Sequence, residues 1–239
     1  MIAGMVNLMI IVPHPDDEVF STGGILSKMA DAGKPTATLT LTRGGSGRTL
    51  GLCEPEELPA LREKELHASL DVLGVTQRHL LDFPDGGLKD IPETDILPEI
   101  ISRIDQLQPE VIVTFGPNGS NGHFDHITTH KLVTHALEAS QHRIQRLYYF
   151  ASDTPYSGAP RDDFLPPEEV AAQHLAPTHY IPVGDTIENK LRAMGQYETQ
   201  SRSVTAFMRN IPRRILLESF HRAYPEYPRG QGSRTVAWL

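Results

Sequence analysis

The chain has one cysteine, Cys53, among its 239 residues. A single thiol closes no internal disulfide, which removes a disulfide scaffold and favours a reducing compartment. Cys53 lies in the loop-like run Gly51-Leu52-Cys53-Glu54-Pro55 and reads as a bystander rather than a nucleophile. Long apolar runs are missing too. The longest near the start, Leu8 to Val12, falls far short of the roughly 20 residues a membrane helix needs. No basic segment precedes it, so the sequence predicts no signal peptide and a cytoplasmic location. Positive charge is in deficit: 22 Lys and Arg stand against 30 Asp and Glu, a net charge of −8. That balance argues against nucleic acid or an anionic membrane surface as a partner. The chain also lacks a G-x-G-x-x-G run after its first strand and a Walker lysine pattern. Its Gly44-Gly45-Ser46-Gly47 run has neither spacing, and the acidic first turn would repel a pyrophosphate, which disfavours a nucleotide-binding Rossmann-like domain.

What is present is ordinary in bulk, with 39% hydrophobic and 22% charged residues, in a chain long enough to bury a sizeable core. The order of elements is informative. Asn7 to Val12 reads as a buried strand, Glu18 to Ala32 as a helix stopped by Gly33, and Thr36 to Thr42 as a β-branched strand. Glu56 to Leu73 reads as a helix ended by Gly74, Arg78 to Phe83 as a strand, Asp95 to Leu107 as a helix and Val111 to Phe115 as a strand. This alternation predicts an α/β fold: a Rossmann-like, mostly parallel sheet with helices on both faces. Residues 153–177 read as an irregular excursion, Tyr180 to Val183 as one more strand, and Asp185 to Tyr197 as a helix with Asp185 placed to cap it. The expectation is one domain over residues 1–239, with a core of about 5–150 and a C-terminal elaboration from 151.

Two stretches carry chemistry. Pro13-His14-Pro15-Asp16-Asp17-Glu18 directly follows the first strand, and ligands collect at the carboxyl ends of strands in parallel sheets. Asp16 or Asp17 is also placed to cap the next helix, which accounts for one carboxylate but not for three with a histidine. Gly122-His123-Phe124-Asp125-His126 follows the strand Val111–Phe115 and the loop 116–121, and His126 and His130 would share a helix face. Two such clusters at two strand ends can meet in one cleft. Histidine and carboxylate suit zinc, which takes three protein ligands at a catalytic site and keeps one position open.

These two stretches together resemble the paired signature of the PIG-L/LmbE-like zinc-dependent N-deacetylases. Between and beyond them Leu41-Thr42-Arg43-Gly44, Leu61 to Leu66, Phe83 to Gly87 and Asn189 to Ser201 fit in the same order, over roughly residues 5–220. The resemblance implies removal of an acetyl group from the amide nitrogen of a small substrate, an N-acetylglucosamine conjugate. It implies His14, Asp17 and His126 as ligands of one Zn2+, with Fe2+ as the alternative. It also implies Asp16 as the general base, His123 as a protonated acid oriented by Asp125, and Arg62 and Asp85 as substrate contacts. The implied partner is a small N-acetylated molecule, not nucleic acid or membrane, with a homo-oligomer left open. Two positions depart from the family pattern: Gly45 stands where many members carry glutamate, and Phe124 replaces a proline, predicting a more apolar cleft. A non-catalytic sugar- or metal-binding module on the same scaffold is the remaining alternative.

Overall fold

The computed structural model describes residues 5–162 and 164–239. Its first half is a regular βα alternation: β1 (Leu8–Val12), α1 (Asp17–Asp31), β2 (Thr36–Thr42), α2 (Leu58–Leu73), β3 (Gln77–Phe83), α3 (Glu93–Leu107) and β4 (Val111–Thr114). Then follow a short turn of helix α4 (Gly119–Gly122), α5 (Phe124–Ala139) and β5 (Arg146–Phe150). The remainder contributes α6 (Pro167–Ala172), β6 (His179–Pro182), α7 (Ile187–Met194), α8 (Ser201–Asn210), α9 (Arg213–Leu216), β7 (Leu217–Tyr224) and β8 (Arg234–Thr235).

Among the described residues, eight strands form one sheet in the order β3-β2-β1-β4-β5-β7-β6-β8. From β3 to β5 every pairing is parallel; β7 runs antiparallel between β5 and β6. The predicted mostly parallel sheet is therefore mixed at its C-terminal end. Side chains of β1 alternate between two cores, as period-2 geometry requires of a strand covered on both faces. Leu8, Ile10 and Val12 pack with α1, α2 and α7 residues such as Ile25, Leu70 and Met194. Met9 and Ile11 pack with α3 and α5 residues such as Ile100 and Val133 on the other face.

Several boundaries differ from the sequence reading for local reasons. Pro55–Glu57 forms a separate 3-10 turn before α2. Gly74 ends α2 at φ 70°, a left-handed closure that favours glycine. Asp185 does not cap the helix after it: Gly184–Thr186 is a 3-10 turn, α7 begins at Ile187, and the Asp185 carboxylate lies 3.4 Å from Lys28. The expected irregular stretch 153–177 contains α6. Patterning assigns no strand to Arg146–Phe150 or Leu217–Tyr224, yet these two pair with each other. The second carries Glu218, a charge that patterning reads as exposed and that the fold buries through specific partners.

The topology positions the site. The chain leaves β1 to build β2 and β3 on one side, then returns to place β4 on the other. The crevice outside the carboxyl ends of β1 and β4 is thus the switch point where ligands bind in open α/β sheets.

Candidate active site

The turn after β1 supplies His14, Asp16 and Asp17, and its backbone is unusual. Asp16 sits at φ 97°, a left-handed conformation rare for a residue with a side chain. Neither Asp16 nor Asp17 makes a side-chain cap bond to α1 at this N-cap, so the simple capping role falls away. Glu18 braces the turn instead. Fully buried, it accepts from the Asp16 backbone N–H at 3.0 Å and from the Tyr197 hydroxyl at 2.5 Å. Burial pushes the Glu18 carboxyl up to about 7.

The β4 side converges on the same point. The predicted loop 116–121 holds the turn α4, with Ser120 at φ 64° and Asn118 accepting from the Ser120 N–H at 3.0 Å. The turn presents the Gly119 carbonyl, which accepts from His126 Nδ1 at 2.9 Å. Since a carbonyl only accepts, Nδ1 carries the proton and Nε2 of the neutral ring holds a lone pair. That lone pair faces Asp17 Oδ1 at 3.6 Å. Burial pushes His126 down to about 4, so a second proton does not relieve this contact between two acceptors at neutral pH.

His14 lies among three carboxylates. Its Nδ1 is 3.2 Å from Asp17, and its Nε2 is 3.0 Å from Asp85 and 3.1 Å from Asp125. Burial works against its charge, but hydrogen bonds to Asp125, Asp17 and Asp85 raise it well above the usual histidine range. The donor atoms of His14, Asp17 and His126 lie within 4.8 Å of one another, and those of His14, His123 and Asp125 do so as well. Two lone-pair donors turned toward each other inside a buried His/Asp set are what a divalent cation relieves, so these residues fit such an ion.

The other expected residues line or support the same cleft, with changed tasks. The fully buried Asp125 carboxylate accepts from the backbone N–H of Gly86 at 2.7 Å and of Leu88 at 3.1 Å, besides its contact with His14. It does not hold His123, contrary to the expectation; the Asp125 backbone N–H does, donating to His123 Nδ1 at 3.1 Å. The reason is the N-terminus of α5, where His123 is the capping residue and satisfies an otherwise unpaired helix N–H. Burial and the nearby His14 charge lower the His123 pKa, so the expected standing imidazolium gives way to a neutral ring with its proton on Nε2.

Asp16 is buried with its Oδ2 3.5 Å from Arg62 Nη2. Burial raises its pKa well above the ordinary carboxylate range, and Arg62 opposes the rise. Arg62 is only 4% exposed and donates to the Pro15 and Gly44 carbonyls. A Cβ at Gly44 would run into its guanidinium, and Gly44 itself sits at φ 68°. The sequence reading gave Arg62 to the substrate rather than the fold; it lines the cleft and also ties the β1 turn to the β2 loop. Asp85 likewise lines the cleft while accepting from the Ser46 N–H at 2.8 Å. Burial pushes Asp85 up, but His14 and that N–H hold it down at about 2.

Arg62→Ala is therefore expected to lower kcat/KM and also to cost about 1–3 kcal/mol of stability, by stranding buried carbonyls. Melting curves set beside kinetics check this. An unchanged melt with a raised KM would return Arg62 to the substrate alone.

Phe124 lies under the Lys89 ammonium, 4.4 Å from ring centroid to Nζ, and is absent from the cleft wall, so it does not make the cleft more apolar. His130 turns to the Phe115 carbonyl at 3.1 Å and away from the cluster. Sequence reasoning missed Asn121, Gln200 and Ser203 in the wall and Tyr197 behind it. Gln200, Ser203 and Tyr197 come from the C-terminal part, and nothing local marks them as cleft residues.

A doubly wound sheet with a metal-compatible His/Asp cluster at its switch point defines, as a class, an α/β protein with a candidate metal centre. The chain belongs to the PIG-L family, described as GlcNAc-PI de-N-acetylase, whose model matches residues 9–137. It is 29% identical over 230 residues to the 1D-myo-inositol 2-acetamido-2-deoxy-alpha-D-glucopyranoside deacetylase of Mycobacterium sp. (strain KMS), covering 81% of this chain and 74% of that one. Its fold is similar to that of N,N'-diacetylchitobiose deacetylase from Pyrococcus horikoshii: TM-score 0.71, 19% identity, 90% of this chain and 83% of that one. It is equally similar to GalB, the 4-carboxy-2-hydroxymuconate hydratase from Pseudomonas putida KT2440: TM-score 0.73, 16% identity, 95% of this chain and 100% of that one. The shared fold thus hosts more than one reaction, and the chemistry has to be argued from the site.

Proposed function

We propose that the chain is a metal-dependent hydrolase that removes an acetyl group from the amide nitrogen of an N-acetylglucosamine conjugate, releasing acetate and a free amine. The observation that carries this reading is the buried contact of the His126 Nε2 lone pair with Asp17 Oδ1 beside His14, a donor set suited to a cation. Family membership and the deacetylase relatives support it. His14, Asp17 and His126 would hold the ion, Zn2+ with Fe2+ as the alternative. When bound, the ion supplies Lewis acidity that polarises a carbonyl and makes water easier to deprotonate.

The chain's own residues do the rest. Asp16 takes a proton from the attacking water, its carboxylate standing in the cleft wall beside Asp17 and facing Arg62 at 3.5 Å. His123 offers its Nε2 proton to the oxygen that gathers charge or to the departing nitrogen, with Nδ1 fixed by the Asp125 N–H. Asp125 and Asp85 orient His14 through hydrogen bonds, as second partners of a metal-binding histidine commonly do. Arg62 and Asp85, with Ser46 and Gln200, give the cleft a polar wall suited to sugar hydroxyls.

The test joins two measurements on protein reconstituted with Zn2+ or Fe2+: metal content, and amine release from a panel of N-acetylated glucosaminides. About one ion per chain and turnover are expected, both lost in a His14→Ala/His126→Ala variant. Metal without turnover on any substrate would favour the binding-module reading, and tight metal in the double variant would remove the site.

A further inference from the structure

Beside the His/Asp cleft lies a second cavity, of about 550 Å³, that the proposed chemistry does not use. The two meet at Asp17, Phe20, Asn121 and His126, which line both. Both walls mix polar and apolar groups. Beyond the shared residues, the cleft is edged by polar groups such as Ser46, Arg62 and Gln200. The larger cavity adds the rings of Phe115, Phe150, Tyr156 and Phe207, set among polar groups such as Ser21, Asn118, Ser152 and Asn210. Among the described residues around it, Arg214 is the sole Arg or Lys, and the sole carboxylate is Asp17, which is turned to His14 and His126.

Among the described residues, Arg214 forms no ion pair with a carboxylate of its own. One of its nitrogens donates to the Ala151 carbonyl. The two acids whose fields reach it are Glu218 and Asp153. Glu218 is taken by Lys190 at 2.7 Å, and Asp153 by Arg213 at 2.8 Å. Lys190, Arg214 and Glu218 therefore leave one positive charge over, next to an aromatic cavity. Desolvation of that charge is evident, since burial pushes Arg214 down to about 10. A partly desolvated guanidinium is the side chain best suited to pair with an oxyanion, and more strongly here than in open water.

We propose that this cavity receives the part of the substrate beyond its N-acetyl sugar, and that this part is an aromatic group bearing a carboxylate that pairs with Arg214. The inference rests on the deacetylase reading for the orientation of the sugar in the His/Asp cleft. It names a chemical class of aglycone: neither a bare monosaccharide nor a neutral glycoside fills the cavity and meets its charge.

The test compares phenyl N-acetylglucosaminide with its 4-carboxyphenyl counterpart on the metal-loaded protein. Wild type is expected to favour the carboxylate in kcat/KM by about 10-fold or more, the usual scale for a hydrogen bond to a charged group. Arg214→Met should bring the ratio close to one, and Arg214→Lys should keep part of the preference. The wild-type ratio is an arm that needs no variant to fold. A wild-type ratio near one overturns the proposal, as does a preference that survives in Arg214→Met. So does a gain that appears only with longer N-acyl chains on the neutral glycoside, which would give the cavity to the acyl group. No amine release from either glycoside is instead a failure of the deacetylase reading. Calorimetric binding of the two glycosides then decides the cavity separately, with tighter binding of the carboxylate expected and equal binding overturning it.

Discussion

Asp16→Asn should bind metal about as well as the wild type and lose roughly 10² to 10⁴ in kcat, the usual worth of a positioned general base. The substitution keeps the side chain's shape and removes its ability to take a proton. Asparagine also tolerates the left-handed backbone that the turn imposes at φ 97°, so the turn should survive. Two features favour Asp16 over Asp17 for the role. Its carboxylate faces Arg62 at 3.5 Å, whereas the Asp17 oxygens face His14 and His126. Its pKa is also pushed up by burial, with Asp17 and Glu18 adding to the rise, while the pKa of Asp17 is lowered chiefly by His126 and His14 acting against burial. Metal content and kcat measured on one preparation decide the matter. Metal loss would make Asp16 a ligand, near-normal turnover would leave it a turn residue, and either result ends the general-base assignment.

Glu218→Gln should cost about 3–5 kcal/mol of folding stability, the expected scale for breaking a buried ion pair by removing one partner. Glu218 and Lys190 are both essentially inaccessible. One Glu218 oxygen accepts from Lys190 Nζ and the Gly24 N–H, each at 2.7 Å, and the other from the Ile25 N–H at 2.9 Å. Lys190 also donates to the Arg214 carbonyl at 2.8 Å. Glutamine cannot carry the charge that neutralises Lys190, and its amide offers hydrogens where backbone N–H groups already point. The network anchors α1, whose first turn holds Asp17 and Glu18, to the C-terminal strand β7. Chemical denaturation measures the loss. A Lys190→Met/Glu218→Leu pair should be far less destabilised than Glu218→Gln alone, because it leaves no lone charge buried. A Glu218→Gln variant within about 1 kcal/mol of wild type would mean that water reaches the pair and shields it.

The sequence by itself determined the βα order, the strand from Thr36 to Thr42, and the two stretches that carry His14, Asp17 and His126, because those signals are local. Periodicity, a β-branched run, a terminating glycine and a histidine beside carboxylates each act within a few residues. It did not assign β5, a short run of Leu147, Tyr148, Tyr149 and Phe150 opened by Arg146, or β7, whose pattern is broken by Arg222 and by Glu218, a buried charge that only distant partners make tolerable. Asp125 shows the same limit inside the site. Its neighbour His123 suggested the pairing, but the carboxylate is taken by the Gly86 and Leu88 N–H groups and by His14 from another strand end, and only the α5 cap links it to His123. Arg62, read as a substrate contact, is enclosed by the Pro15 and Gly44 carbonyls, which the sequence places 47 and 18 residues away. Which side chains can meet in the candidate metal centre was written in residue types and spacing. Which hydrogen bonds hold them, and which charges are left unpaired for a substrate, was decided only when the sheet brought its strand ends together, because burial makes each polar group depend on partners remote in the chain.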